Sequence, residues 1–197
     1  PASMAKPDPV PEDAIVSTVD CDVLVIGAGP IGIMHGMLAR MAGAGRVYIN
    51  DLSAERLATC KAIDPAFLTV EGDIEEVIAR DTRGEGVQVC ITACPSPAAQ
   101  ATALRVCGNN ARINFFGGVP ADRQPVPLDT NLIHYKQLKV SGTTRASLTQ
   151  FRKTLRFISS GVLNVKPLIT RTLPLTAIGQ ALDYAAAADG LKNVILF

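Results

Sequence analysis

Eleven residues constrain this chain more than any others: Asp22-Val23-Leu24-Val25-Ile26-Gly27-Ala28-Gly29-Pro30-Ile31-Gly32. Val23 to Ile26 is a continuous apolar run, the pattern of a parallel strand buried on both faces. The glycines that follow fall as G-x-G-x-x-G. Gly27 permits a tight turn, Gly29 keeps side chains away from an approaching pyrophosphate, and Gly32 lets the next helix pack close to the sheet. A helix starting at Pro30 offers free N–H groups and a positive dipole end to that phosphate. Asp51 closes the next apolar run, Val47-Tyr48-Ile49-Asn50, where a carboxylate can accept both hydroxyls of a ribose and would repel a 2′-phosphate. The pattern therefore predicts a dinucleotide site that prefers NAD to NADP. A methyltransferase-type nucleotide site also places an acid after its second strand, but the third glycine and the residues after Asp51 argue against it.

Bulk properties set the class. The chain has 197 residues, enough for one domain with a sizeable core and an appendage. It is 48% hydrophobic and 19% charged, and its net charge of +1 gives no electrostatic case for nucleic acid or an anionic membrane. No apolar run reaches the ~18 residues a spanning helix needs. The proline-rich start has no continuous apolar core, so no signal peptide is expected. Cys21, Cys60, Cys90, Cys94 and Cys107 are odd in number and sit mostly inside elements, which reads as reduced core thiols and a cytoplasmic location.

Strands and helices alternate from residue 22, the mark of an α/β doubly wound parallel sheet, the Rossmann arrangement. Residues 1–20, with Pro1, Pro7, Pro9 and Pro11, read as an extended lead-in; 21–162 as the dinucleotide-binding domain; 163–197 as a C-terminal segment. Helices are expected at Ile31–Ala42 (Met34, Met37, Leu38 and Met41 along one face), Ala54–Lys61 capped by Ser53, Ile74–Arg80 and Pro97–Cys107. The remaining strands of a six-stranded sheet are expected at Phe67–Val70, Val87–Thr92, Ile113–Phe116 and Leu138–Ser141. Ser147-Leu148-Thr149-Gln150 is a capping box, followed by an apolar stripe of Leu148, Phe151, Leu155 and Ile158 that Gly161 stops. A strand at Leu168–Thr170, a helix at Thr176–Ala188 and a strand at Val194–Phe197 form a short strand–helix–strand extension.

From Asp22 onward the chain resembles the cofactor-binding half of the medium-chain dehydrogenases, in the zinc-dependent polyol, sorbitol and threonine dehydrogenase branch. The resemblance rests on Val25-Ile26-Gly27-Ala28-Gly29-Pro30-Ile31-Gly32, Asn50-Asp51-Leu52-Ser53-Ala54-Glu55-Arg56-Leu57 and Ala93-Cys94-Pro95-Ser96-Pro97. It extends through Ile113-Asn114-Phe115-Phe116-Gly117-Gly118, Leu132-Ile133-His134-Tyr135-Lys136 and Val165-Lys166-Pro167-Leu168-Ile169-Thr170. Such enzymes carry zinc in an N-terminal barrel, and only 20 residues precede the dinucleotide-binding domain here. A form lacking that half, with no metal site and no activity alone, is therefore expected. Cys90 and Cys94 straddle a strand end and its loop, zinc there would need two further ligands, and His35 and His134 belong to other segments. Val10-Pro11-Glu12-Asp13-Ala14 looks like the family's lead-in to a zinc-ligand segment that does not follow.

Residue by residue, the resemblance implies that Gly27, Gly29, Pro30, Ile31 and Gly32 cradle the pyrophosphate. Asp51 would hold the adenosine ribose, with Arg56 beside it, and Ala93, Cys94, Pro95 and Ser96 would line the middle of NAD. Phe116, Gly117, Gly118, Ser141, Gly142 and Thr143 would supply contacts around the nicotinamide. Plainer roles stay open: Arg56 as a solvated helix charge, Phe115 and Phe116 as core, Cys94 as a small apolar filler. No catalytic residue is visible, and no Ser-His-Asp arrangement can be drawn. The whole enzyme would oxidise a secondary alcohol, an alcohol or polyol, to a ketone. The alternative is a free-standing NAD-binding regulatory or sensor module, for which residues 165–197, which return to the catalytic domain in the dehydrogenases, would have no use. The resemblance also implies a homodimer through the edge strand near 138–142.

Overall fold

The computed structural model describes residues 21–197, so the lead-in lies outside the described residues. Strands β1 (Asp22–Ile26), β2 (Arg46–Asn50), β3 (Leu68–Val70), β4 (Val87–Thr92), β5 (Cys107–Phe115) and β6 (Lys139–Gly142) form one sheet. Their order is β3-β2-β1-β4-β5-β6 and every pairing is parallel. Helices α1 (Pro30–Met41), α2 (Ala54–Ile63), α3 (Ile74–Asp81), α4 (Pro97–Val106) and α5 (Thr130–Tyr135) are the connections. The sheet is doubly wound, as the alternation predicts, and its order reverses between β1 and β4.

Two apolar clusters cover the two faces. Val23, Val25, Ile33, Ile49, Cys60 and Phe67 pack beneath α1 and α2. Leu24, Tyr48, Ile78, Cys90, Leu104 and Ile113 pack beneath α3 and α4. Side chains alternate in facing along a strand, which is why Val23/Val25 and Leu24/Ile26 part company. Each fully buried Ile, Leu or Phe contributes roughly 1.5–3 kcal/mol.

One sequence expectation about α1 is corrected. Its buried face is Gly32, Ile33 and Gly36, while Leu38 and Met41 are exposed. A Cβ on Gly36 would stand 2.9 Å from Ile49 Cδ1 and 3.0 Å from the Phe67 ring, so the helix rides on its glycines, with Met34 and Met37 part-buried against the same core. A second correction concerns β5, expected to start at Ile113. It starts at Cys107, and its register against β4 slips between the pairs Val87↔Cys107 and Val89↔Arg112. Asn110, at φ 60°, takes the slack. Lys136 closes the corner, its Nζ donating to the carbonyls of Arg105 (2.8 Å), Cys107 (2.8 Å) and Leu104 (3.3 Å) at the end of α4.

Beyond β6 lies α6 (Leu148–Ser159), begun by the predicted capping box: Ser147 Oγ accepts from Gln150 N, and Gln150 Oε1 accepts from Ser147 N. Its apolar stripe, Leu148, Phe151, Leu155 and Ile158, is exposed. The C-terminal segment is β7 (Ile169–Pro174), α7 (Ile178–Ala186) and β8 (Lys192–Leu196), with β7 and β8 paired in parallel. β7 begins where Leu168, expected as its first residue, is instead the buried end of a 3₁₀ turn packed on the α1/α2 face. The Arg171 guanidinium stacks 4.1 Å from the Tyr184 ring centre and pairs with Asp189 at 2.8 Å, which ties β7 to the end of α7. Among the described residues no helix is long and apolar enough to cross a membrane.

All five cysteines are free thiols. Burial pushes the Cys60 thiol up to about 12, and a hydrogen bond with the Cys107 thiol together with burial pushes Cys90 well up. Alkylation needs the thiolate. Iodoacetamide at pH 8 is therefore expected to label Cys21 and Cys94, both part-exposed, well before Cys60 and Cys90, with all five labelled in urea. Peptide mass mapping checks this, and Cys60 or Cys90 reacting natively at the unfolded rate would refute the packing described.

Candidate nucleotide site

The site lies at the carboxyl ends of the strands, where the sheet order reverses between β1 and β4 and a crevice opens. Its floor is the turn after β1. Gly27 has φ +115°, a conformation glycine adopts without strain, and its N–H donates to Asn50 O at 2.7 Å. Gly32 is pressed against that turn so closely that a Cβ would overlap the Gly27 carbonyl oxygen. Gly29 is the opposite case: a Cβ there would meet nothing within 4 Å, so its backbone faces open space.

Gly29 is the N-cap of α1, Pro30 its first residue, and no side chain caps the end. The first turn also holds no acidic residue. The other well-formed helix starts of the sheet are capped: Ser53 accepts from Arg56 N, Asp73 from Glu75 N and Glu76 N, and Ser96 from Ala99 N. The bare N-terminus of α1, behind a glycine that leaves the approach open, fits an anion such as a pyrophosphate. Ile31, 43% exposed, stands beside it, and Gly32 lies buried below.

Asp51 directly follows β2. Its carboxylate accepts from Ala28 N (Oδ2, 2.7 Å) and from Ser53 N (Oδ1, 3.0 Å), so it braces the glycine turn as well as ending the strand. The side chain keeps 14% exposure, enough for an edge to face a ligand. Arg56 Nη1 sits 4.0 Å from Asp51 Oδ2, and its Nη2 donates to Ala188 O at 3.4 Å. Arg56 therefore belongs to the site rim and is not simply a solvated helix charge. A cleft of about 380 Å³ brings together Gly27, Asp51, Arg56, Ile74, Cys94 and Ser96.

The remaining predicted residues lie across the switch point. Ala93 N donates to Ile26 O (2.8 Å), which pins the β4 end to β1. Cys94 is half-buried and burial pushes its thiol up, with Ser96 N–H acting the other way. Gly117 N donates to Thr92 O (2.7 Å), and a Cβ on Gly117 would come within 2.5–2.9 Å of the Cys94 backbone, so this chain-to-chain approach also requires glycine. Gly118 is unobstructed. Ser141, Gly142 and Thr143 sit at the end of β6, where Ser141 Oγ donates to Ile113 O (3.1 Å) and Thr143 Oγ1 bonds Asn114 Oδ1 (3.3 Å). Phe116, Gly117, Gly118 and the 141–143 strip share the carboxyl edge of β5 and β6 but do not line the 380 Å³ cleft.

Sequence reasoning missed three contributors: the Ala28 N–H, Gln100, whose Nε2 reaches Gly117 O (3.4 Å), and Thr92, whose buried hydroxyl has no hydrogen-bond partner. Ser96-Pro97, an N-cap followed by proline at N1, starts α4 over the cleft. Among the described residues no three His, Cys, Asp or Glu side chains converge to hold a metal ion.

An open parallel sheet, a glycine turn feeding an uncapped helix, and an acid after β2 define a Rossmann-class α/β domain. A family model described as zinc-binding dehydrogenase matches residues 30–160. The chain belongs to that family. It is 34% identical over 177 residues to an L-threonine 3-dehydrogenase of Bacillus velezensis, a match that covers 87% of this chain and 50% of that protein. The chain thus spans about half the length of the curated relatives it matches. Among solved structures, a protein assigned as a zinc-binding dehydrogenase from Sinorhizobium meliloti 1021, bound to NADP, superposes with a TM-score of 0.82 at 23% identity, covering 90% of this chain and 53% of that one. An alcohol dehydrogenase from E. coli CFT073 complexed with NADH gives 0.80 at 23% identity, covering 90% and 52%.

Proposed function

We propose that this chain is the NAD(H)-binding part of a cytoplasmic medium-chain alcohol or polyol dehydrogenase that oxidises a secondary alcohol to a ketone. The observation that carries the reading is the bare N-terminus of α1 behind Gly29, with the Asp51 carboxylate at the same crevice. The relatives' dehydrogenase names, and NADH and NADP in two structural neighbours, support the class of cofactor. The free state of all five thiols supports a reducing compartment.

The parts divide as follows. Gly27, Gly29, Pro30, Ile31 and Gly32 receive the pyrophosphate on backbone N–H groups. Asp51 and Arg56 hold the adenosine ribose, and Asp51 disfavours a 2′-phosphate there. Ala93 and Cys94 flank the middle of the cofactor, while Phe116, Gly117, Gly118, Ser141, Gly142 and Thr143 present the nicotinamide end. The nicotinamide, when bound, supplies the hydride acceptor; this chain's residues bind and orient it. The zinc of the family name does not fit the described residues. A homodimer joined through β6 belongs to the same proposal.

Calorimetric titration of the 197-residue chain with NADH tests the reading. Saturable binding at one site per chain is expected, and it should be lost when an acid is placed at the phosphate (Gly29→Asp). No detectable binding by the wild-type chain, or undiminished binding by Gly29→Asp, would overturn it.

A further inference from the structure

His35 lies on α1, one turn beyond Gly32, and its half-buried ring meets the Phe116 ring edge-on, with centroids 4.6 Å apart and planes at 77°. Phe116 precedes Gly117 and Gly118 at the carboxyl end of β5, on the far side of the switch point from Asp51. A dinucleotide spans such a crevice with one nucleotide on each side, so Phe116–Gly118 faces the half that Asp51 does not. Gly117 is already clamped by Thr92 O and the Cys94 backbone at the end of β4 and by Gln100 of α4. His35 meets the same turn from the helix side. That helix cannot drift, because Gly32 and Gly36 seat its backbone directly on the β1–α1 turn, Ile49 and Phe67.

Resting on the function proposed above, we infer that His35 is a positioning residue for the nicotinamide half of the site, acting through the Phe116 ring on the Gly117–Gly118 backbone. The α1 helix then does two jobs. Its N-terminus takes the pyrophosphate, and its second turn sets the height of the loop under the other nucleotide. Burial lowers the His35 pKa and so disfavours the charged imidazolium.

The test separates the two halves of the ligand. ADP-ribose keeps adenosine, pyrophosphate and the second ribose but lacks the nicotinamide. His35→Ala is expected to weaken NADH about three- to tenfold while ADP-ribose changes by less than about twofold, the size of a lost aromatic pair. His35→Phe, which restores a ring, should return NADH affinity to within about twofold of wild type. Phe116→Leu reads the same contact from the other side, should His35→Ala fail to fold, and is expected to weaken NADH selectively as well. A parallel loss of both ligands would mark a merely structural role and overturn the inference, as would unchanged NADH binding in His35→Ala or in Phe116→Leu. A wild-type chain that binds ADP-ribose but gains nothing from the nicotinamide overturns the inference alone. One that binds neither overturns the functional reading and the inference with it.

Discussion

Replacing Asp51 with serine is expected to erase the preference for NADH over NADPH that we propose its carboxylate imposes. In the wild-type chain a 2′-phosphate would have to enter beside a carboxylate that ends β2 and stays part-exposed. Like charges at a few ångströms, in surroundings of intermediate dielectric, cost on the order of 1–3 kcal/mol, which is roughly 5- to 150-fold in affinity. Serine removes that repulsion and leaves Arg56, whose Nη1 stands 4.0 Å from the carboxylate, free to meet the phosphate. Asp51 also accepts from Ala28 N and Ser53 N, so the substitution loosens the glycine turn and should weaken NADH itself. The ratio of the two dissociation constants, measured by titration at one ionic strength, is therefore the quantity to read. A wild-type chain that binds NADPH as tightly as NADH would sink the assignment of Asp51.

The parts of this fold that were legible in the sequence share one property: the local pattern and the tertiary environment demand the same residues. Val23–Ile26 is apolar throughout because β1 is central and covered on both faces, and Ser53 caps α2 as its residue type suggests. The doubly wound order follows once the βαβ alternation is seen. The glycines of α1 belong to the legible part as well. Gly32 and Gly36, one turn apart, are buried because only a residue without Cβ lets the helix sit that close, while of the stripe Met34, Met37, Leu38 and Met41 the first two pack on the core and the last two are exposed. The early part of β5 was illegible because Gly108-Asn109-Asn110 is polar turn chemistry, and the strand reaches back to Cys107 through its pairing with Val87 across the register slip. Within the site, Asp51 was readable from spacing. Its bond to Ala28 N was not, because a backbone donor leaves no trace in composition.

The edge of the sheet carries the last large effect. β6 pairs with β5 on one side only, and all four of its residues are exposed. Such an edge presents unpaired N–H and C=O groups that proteins usually cover or pair. Lys139 is charged, as protective edges often are, but Val140, Ser141 and Gly142 are not, so the centre of the strand is open to a second copy. A two-fold axis there would join two six-stranded sheets through an antiparallel β6–β6 pair, with each contact made twice. Successive N–H groups on a strand point to opposite sides, so one of Lys139→Pro and Val140→Pro deletes an outward donor while the other deletes a donor to β5. The variant that loses the outward donor is expected to remain folded by circular dichroism. Losing that bond on both copies should weaken the dimer by about 1–3 kcal/mol, roughly 5- to 150-fold. Light scattering across a concentration series should show a wild-type dimer and, for that variant, a shift to monomer. A wild-type chain that stays monomeric at high concentration, or two proline variants whose dimers are as strong as wild type, would exclude β6 as the interface.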